Sequence, residues 1–254
     1  MASLGVVHTP ADRPPTDVAD LLAGLLREPG RPRLTWYGPD GERIELSGAV
    51  LVNWVNKTTN LLVEEFDAGP GTRVLLDLPG HWRAAVWALA TWRAGATAVV
   101  PDGDPATTAP DPGADVVVTA RPHAWPAAPD IVAVALGALA RRVDGPLPAN
   151  AIDGASEVMT QPDTLGPTAP TDPGRAALVT GRTVLHRDLL EAPERPPHGA
   201  RLALVATTAA QVALDCLGAW AVDGSVVLLD RPLQPDDPAL ARLLDAEQVT
   251  AGRP

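Results

Sequence analysis

Apolar positions along this chain change their spacing several times, and each change marks an element. The stretch "RLTWYGPDGERIEL" (33–46) alternates apolar and polar residues on both sides of Pro39-Asp40-Gly41, which predicts a β-hairpin. Behind it, "GAVLVNWVNKTTNLLVEEF" (48–66) repeats its apolar residues at spacings of three and four. That is a helix, with Ser47 placed to cap its N-terminus. The pattern next predicts a strand over 73–78, a helix over about 80–94 and a strand over 97–100. "ADVVVTA" (114–120) and "DIVAVAL" (130–136) are short, β-branched apolar runs of the kind that sit inside a parallel sheet. Residues 144–174 are dense in Pro, Gly, Asp and Thr and only weakly periodic, a linker holding at most one helix. Beyond it the pattern predicts a helix beginning near Thr183, a strand over 202–206 and a helix over 209–222. A strand over 225–229 and a last helix over 237–246 follow.

Strands that alternate with helices need crossover connections, so the expected fold is α/β, two adjacent layered lobes with mostly parallel sheets. The punctuation divides the chain into a flexible N-terminus (1–16), a first lobe (17–143), the linker (144–174) and a second lobe (175–254). The two lobes echo each other. In "GTRVLLDLPGHWRAAVWALATWRAGATAVV" and "GARLALVATTAAQVALDCLGAWAVDGSVVLL", Gly71 matches Gly199, Arg73 matches Arg201 and Trp92 matches Trp220 at one common offset. The helix-ending glycines, Gly95 and Gly224, fall one residue out of step.

Composition narrows the class. Hydrophobic content of 46% in 254 residues supplies a core, while 28 Pro and 22 Gly imply many irregular connections. A formal charge of −11 without any Lys/Arg run argues against a nucleic-acid partner. No apolar run approaches the ~20 residues that cross a bilayer, so no membrane is expected. The start "MASLGVVHTPADRPP" lacks the charged and apolar regions of a signal peptide. Cys216 is the only cysteine, which excludes an intramolecular disulfide and fits a reducing, cytoplasmic setting.

The run from Leu46 to Pro105 resembles the start of the adenylate-forming superfamily: acyl-CoA synthetases, adenylation domains of peptide synthetases, and luciferases. The matching pieces are "GTRV" (71–74), "LPGH" (78–81), "AGATAVVPDGDP" (94–105) and "ADVVVT" (114–119), with "CLGAWAVDGSVVLLD" (216–230) resembling a later segment. The resemblance covers residues 33–250 and implies a short homologue of that family's N-terminal domain, without its C-terminal domain and catalytic lysine. In the family, the strand matching Ala176–Thr180 enters a Ser/Thr/Gly-rich loop whose backbone N–H groups and lysine hold ATP phosphates. Here "LVTG" runs at once into "RTVLHRDLL". Thr180, Gly181, His186 and Leu189-Leu190 remain, the body of the loop does not, and Thr183 reads as the N-cap of a short strand-to-helix turn. Lys57, the only lysine, lies in the first long helix. The resemblance therefore implies a non-catalytic binding or scaffolding module, with no cofactor and no acyl-adenylate chemistry. The competing reading is a diverged enzyme or split subunit that takes a small acyl or nucleotide ligand in the inherited cleft.

The residues proposed to line such a cleft are Asp77, His81, Thr180, Gly181, Arg182 and His186. His81 stands out because it follows a parallel strand, at the edge where open α/β sheets bind ligands. The five histidines show no metal-ligand spacing, and no metal is expected. Cys216, inside the apolar run "QVALDCLGAW", reads as a buried thiol, not a nucleophile. Long apolar runs around 201–229, with an unpaired parallel edge strand expected near Val226–Leu229, predict a homodimer or protein partner through the second lobe.

Overall fold

The computed structural model describes residues 13–101, 113–138, 140–191, 195–231 and 238–253; the end of the "AGATAVVPDGDP" motif and most of the expected frayed N-terminus lie outside them. Helix α1 (Val18–Leu25) buries Val18, Leu21, Leu22 and Leu25, spaced i, i+3, i+4, i+7, and is capped by the Asp17 carboxylate. The sequence reading placed no element there. Strands β1 (Pro32–Tyr37) and β2 (Arg43–Ser47) form the expected hairpin. Ser47 then caps α2 (Gly48–Phe66) by accepting from Val50 N–H. Strand β3 (Arg73–Asp77), helix α3 (Trp82–Arg93) and strands β4 (Thr97–Val99), β5 (Val116–Thr119) and β6 (Asp130–Ala133) fall close to their expected bounds. The linker adds a strand, β7 (Ala151–Asp153), and one helix, α4 (Gly154–Thr160). It is tied to α2: Asn60 Nδ2 donates to the carbonyls of Pro162 (3.1 Å) and Thr164 (3.0 Å), and Lys57 Nζ reaches Asp163 (3.0 Å).

The helix expected to begin near Thr183 does not form. Strand β8 (Ala176–Val179) turns back through 180–182 into an antiparallel strand, β9 (Thr183–Leu185), so Thr183 is a strand residue and caps nothing. Three connecting residues are too few for a crossover but suit a hairpin, and Thr183-Val184 are β-branched. Strand β10 (Arg201–Val205), helix α5 (Ala209–Trp220), strand β11 (Ser225–Leu229), helix α6 (Pro238–Ala246) and strand β12 (Ala251–Arg253) complete the described chain.

Two mostly parallel sheets result, as expected, but they are not assembled lobe by lobe. One runs β12-β10-β11-β1-β2 and the other β7-β6-β5-β3-β4-β8-β9. The hairpin from the N-terminal part completes the later sheet, and the β8–β9 hairpin completes the earlier one. The division of the chain at 144–174 therefore does not coincide with the division between sheets. Strand β11 is not an edge strand: β10 and β1 flank it in parallel register. Nor does the second-lobe helix stand uncovered. Along α5, Ala209, Val212, Ala213, Cys216, Leu217 and Trp220 are buried, and the helix packs on α3.

One continuous apolar core lies between the sheets, built from α1, α2, α3, α5 and the facing strand residues Trp36, Val74, Leu76, Val118 and Val226. A smaller cluster under α6 covers the outer face of the five-stranded sheet through Ala203, Val227 and Leu229. No helix among the described residues is long and apolar enough to cross a membrane.

Candidate functional site

Parallel strands deliver their carboxyl ends to one edge of the seven-stranded sheet, and most of the expected site residues gather there. Asp77 ends β3 and is 2% exposed. Its Oδ2 accepts from Thr119 Oγ1 (2.6 Å), Trp125 Nε1 (2.6 Å) and Arg121 Nε (3.0 Å), and its Oδ1 accepts from Arg121 Nη2 (2.9 Å). The carboxylate accepts four hydrogen bonds, three at Oδ2 and one at Oδ1, and so ties β3 to β5 and the Arg121–Trp125 segment.

His81 follows at the start of α3. Its Nδ1 accepts from Arg83 N–H (3.1 Å), which makes it the cap of the helix, and its ring packs edge-on against Trp36 at 4.6 Å. Burial, with the Arg83 charge second, lowers its pKa to about 3. The imidazole is neutral at physiological pH and supplies no cation. Gly80 just before it lies against the turn after β10: a Cβ there would meet the Ala206 carbonyl carbon at 2.6 Å. The two lobes close on each other at this turn, helped by a bridge between Pro79 and Thr208.

Thr180, Gly181 and Arg182 form the β8–β9 turn at the same edge. Thr180 N–H donates to the Arg182 carbonyl (2.9 Å) and Arg182 N–H to Thr180 Oγ1 (3.4 Å). Only the Gly181 amide is not spent inside the turn. His186 is elsewhere: β9 carries the chain back, so it sits a strand's length away, roughly 10 Å, at the opposite edge. There its Nε2 lacks a partner, it lines an open pocket of about 290 Å³ with Trp92, Arg93 and Thr171, and burial lowers its pKa. The structure thus brings Asp77, His81 and the Thr180–Arg182 turn to one edge and leaves His186 out. Cys216 is fully buried, and burial pushes its thiol up, which keeps it protonated. The one lysine, Lys57, is held by Asp163 and the Gln161 carbonyl.

Sequence reasoning missed Trp82 and Arg83, which begin α3 with buried donors that find no acceptor. A Trp-Arg pair directly after a strand-ending turn was the available signal, masked by the apolar helix in which it stands.

This architecture, paired parallel sheets with helices between them, is the fold of the N-terminal lobes of adenylate-forming enzymes. Three solved structures share it: an acyl-CoA synthetase of Brucella canis (TM-score 0.73, 16% identity, 93% of this chain, 46% of that one), the amide bond synthetase McbA of Marinactinospora thermotolerans (0.62, 17%, 92%, 48%), and NpsA-ThdA, an artificially fused Adenylation-PCP di-domain of Klebsiella oxytoca (0.64, 17%, 93%, 42%). The chain spans less than half the length of each. No family model matches it. It is 34% identical over 256 residues to the TIGR03089 family protein of Mycobacterium tuberculosis (strain ATCC 25618 / H37Rv), covering 93% of this chain and 98% of that protein. The chain belongs to the TIGR03089 family.

Proposed function

We propose that this protein is a non-catalytic relative of adenylate-forming enzymes that serves in the cytoplasm as a binding module. The Thr180–Arg182 turn carries the reading. Adenylation places negative charge on a phosphate in flight, and stabilising it takes several converging N–H groups and fixed cations. The turn spends two of its three amides on itself. Neutral His81, the Asp77 carboxylate paired with Arg121 and the tethered Lys57 do not make up the difference. The synthesis of amide bonds or acyl-CoA thioesters belongs to the structural neighbours that carry those names.

The binding contact is assigned to the side of the five-stranded sheet, with a second copy of the chain as occupant. An open groove of about 680 Å³ runs between α5 and β10 there, bounded by Leu202, Leu204, Leu214 and Ala251. Leu204 and Leu214 are only half-buried in it. Carboxylate-dependent pyrophosphate exchange should not exceed a heat-killed control, and calorimetry with ATP or acyl-CoAs should give no saturable heat. Exchange that Arg182→Ala abolishes would overturn the non-catalytic reading. Sedimentation should show a dimer, and Leu214→Glu should shift it to monomer; a monodisperse monomer at high concentration would remove the self-contact.

A further inference from the structure

The internal repeat identifies a helix face that one half of the chain covers and the other leaves open. At the offset that carries Gly71 to Gly199, Arg83, Val86, Trp87 and Ala90 of α3 correspond to Gln211, Leu214, Asp215 and Gly218 of α5. Each set falls at i, i+3, i+4 and i+7, one stripe of a helix. On α3 all four residues are buried. Trp54 and Thr58 of α2 and Val158 of α4 lie across a small cavity from Arg83, Val86 and Trp87, and Thr59 Oγ1 of α2 is 3.5 Å from the Ala90 carbonyl. On α5 the stripe has no such cover. Gln211 is exposed, Leu214, Asp215 and Gly218 are half-buried, and all four line the open groove of about 680 Å³. Between β9 and β10, where a counterpart of α2 would fall, the described residues hold only the short turn His186–Asp188. Nor does the sheet continue there among the described residues: β6 flanks β5, whereas β12 is an edge. The groove is a position for a helix, filled in the first half and vacant in the second.

The charges of the groove say which helix fits. It carries one acid, Asp215, and one base, Arg195. Asp215 accepts from Gln211 Nε2 (2.7 Å), and burial raises its pKa. Arg195 Nη2 donates to the Leu190 carbonyl (2.8 Å). Neither forms an ion pair among the described residues. One acid and one base on a single face are complementary to the same face rotated by a two-fold axis, which offers each group to its opposite. The backbone leaves room for such an approach, since a Cβ built at Gly218 would meet nothing within 4 Å. Resting on the self-contact proposed above, we propose that the element seated in the groove is α5 of the second copy. The two helices run antiparallel across a two-fold axis, and Asp215 of each copy pairs with Arg195 of the other. Each α5 then covers the other's stripe as α2 and α4 cover that of α3, with Leu214 of one copy packing toward Gly218 of the other.

The test is sedimentation equilibrium of the full chain and of two charge reversals, Asp215→Arg and Arg195→Asp, alone and mixed. Alone, each variant sets like charges against each other at both contacts and should self-associate about tenfold more weakly or worse. Mixed one to one, they restore both opposite-charge contacts, so a heterodimer should form with affinity close to that of the unmodified chain. Gly218→Leu places bulk where a single copy has space but a close partner does not. It should leave the thermal midpoint of the monomer at or above its original value and weaken the dimer by about tenfold or more. A chain that is monomeric at every concentration would remove the self-contact and this geometry with it. A dimer that Leu214→Glu dissociates, but whose two reversed variants stay apart when mixed, would keep the self-contact and overturn the antiparallel α5 pairing. So would a dimer indifferent to Gly218→Leu.

Discussion

At the scale of single residues, His81 shows environment deciding chemistry. Sequence position pointed to it, because it follows a parallel strand where open sheets bind ligands. Sequence position does not say which way a ring turns. The fold uses Nδ1 as a helix cap and packs the ring against Trp36, while the donors with unspent capacity are the next two residues. The cap has a consequence for acid stability. Nδ1 must stay unprotonated to accept from Arg83 N–H, and burial holds the folded pKa near 3, below the ordinary 6.5. The unfolded chain therefore binds the proton first. The stabilisation is complete above pH 6.5 and is lost as pH falls from there toward 3, by up to ~1.4 kcal/mol per pH unit for one proton. Glu247 adds to the loss further down. Burial alone would raise its pKa, but Tyr37, Arg201 and Arg43 hold it below the ordinary 4.5, so its contribution disappears below that value. Urea unfolding from pH 7 to 4 should show this slope. His81→Asn, which keeps a capping acceptor without titrating, should flatten it. An unchanged slope in that variant would assign the effect to other groups.

At the scale of elements, the echo between Gly71–Val100 and Gly199–Leu229 has a structural counterpart that sequence only half revealed. Both tryptophans at the common offset donate to a hairpin strand: Trp92 Nε1 to the Ala177 carbonyl (2.8 Å) and Trp220 Nε1 to the Arg33 carbonyl (2.9 Å). The glycines that fell out of step are also resolved. The left-handed residue equivalent to Gly95 (φ 80°) is Asp223 (φ 59°), not Gly224. Asp tolerates that conformation, and its carboxylate holds Arg33 and Arg31 at 2.8 Å each. What the sequence concealed was the owner of each hairpin, since the partner strands lie far apart along the chain and pairing is not a local signal. Strands β7 and β12 escaped because three residues are too few to display a period. Helix α1 was legible at 18, 21, 22 and 25, and its Pro-rich approach obscured it. Trp92→Phe should orphan the Ala177 carbonyl and cost about 1–3 kcal/mol, with faster amide exchange in β8–β9; Trp220→Phe should do the same in β1–β2. Uniform acceleration across both sheets in either variant would show that the indoles are merely core volume.

At the scale of the molecule, the two sheets repeat one order. The sequence β12-β10-β11-β1-β2 corresponds strand for strand to β5-β3-β4-β8-β9, with α5 matching α3 and the two helices packed on each other. Each half of the chain completes the other half's sheet with its hairpin, so the sheets are interlocked rather than merely adjacent. Separated halves would then fail in a definite way. Residues 13–170 alone would leave β4 without β8 and strand the β1–β2 hairpin; residues 171–253 alone would leave β11 without β1. Each would expose an apolar parallel edge, Thr97–Val99 or Ser225–Leu229, to solvent and to aggregation. We expect neither fragment to give a dispersed NMR spectrum by itself, and co-expression of the two to restore a soluble complex. For the intact chain, denaturant unfolding followed by far-UV circular dichroism and by tryptophan fluorescence should give coincident curves, since neither sheet survives loss of the other. Two separated transitions, or a folded 171–253 fragment, would show that each lobe is self-sufficient and that the exchanged hairpins are peripheral to stability.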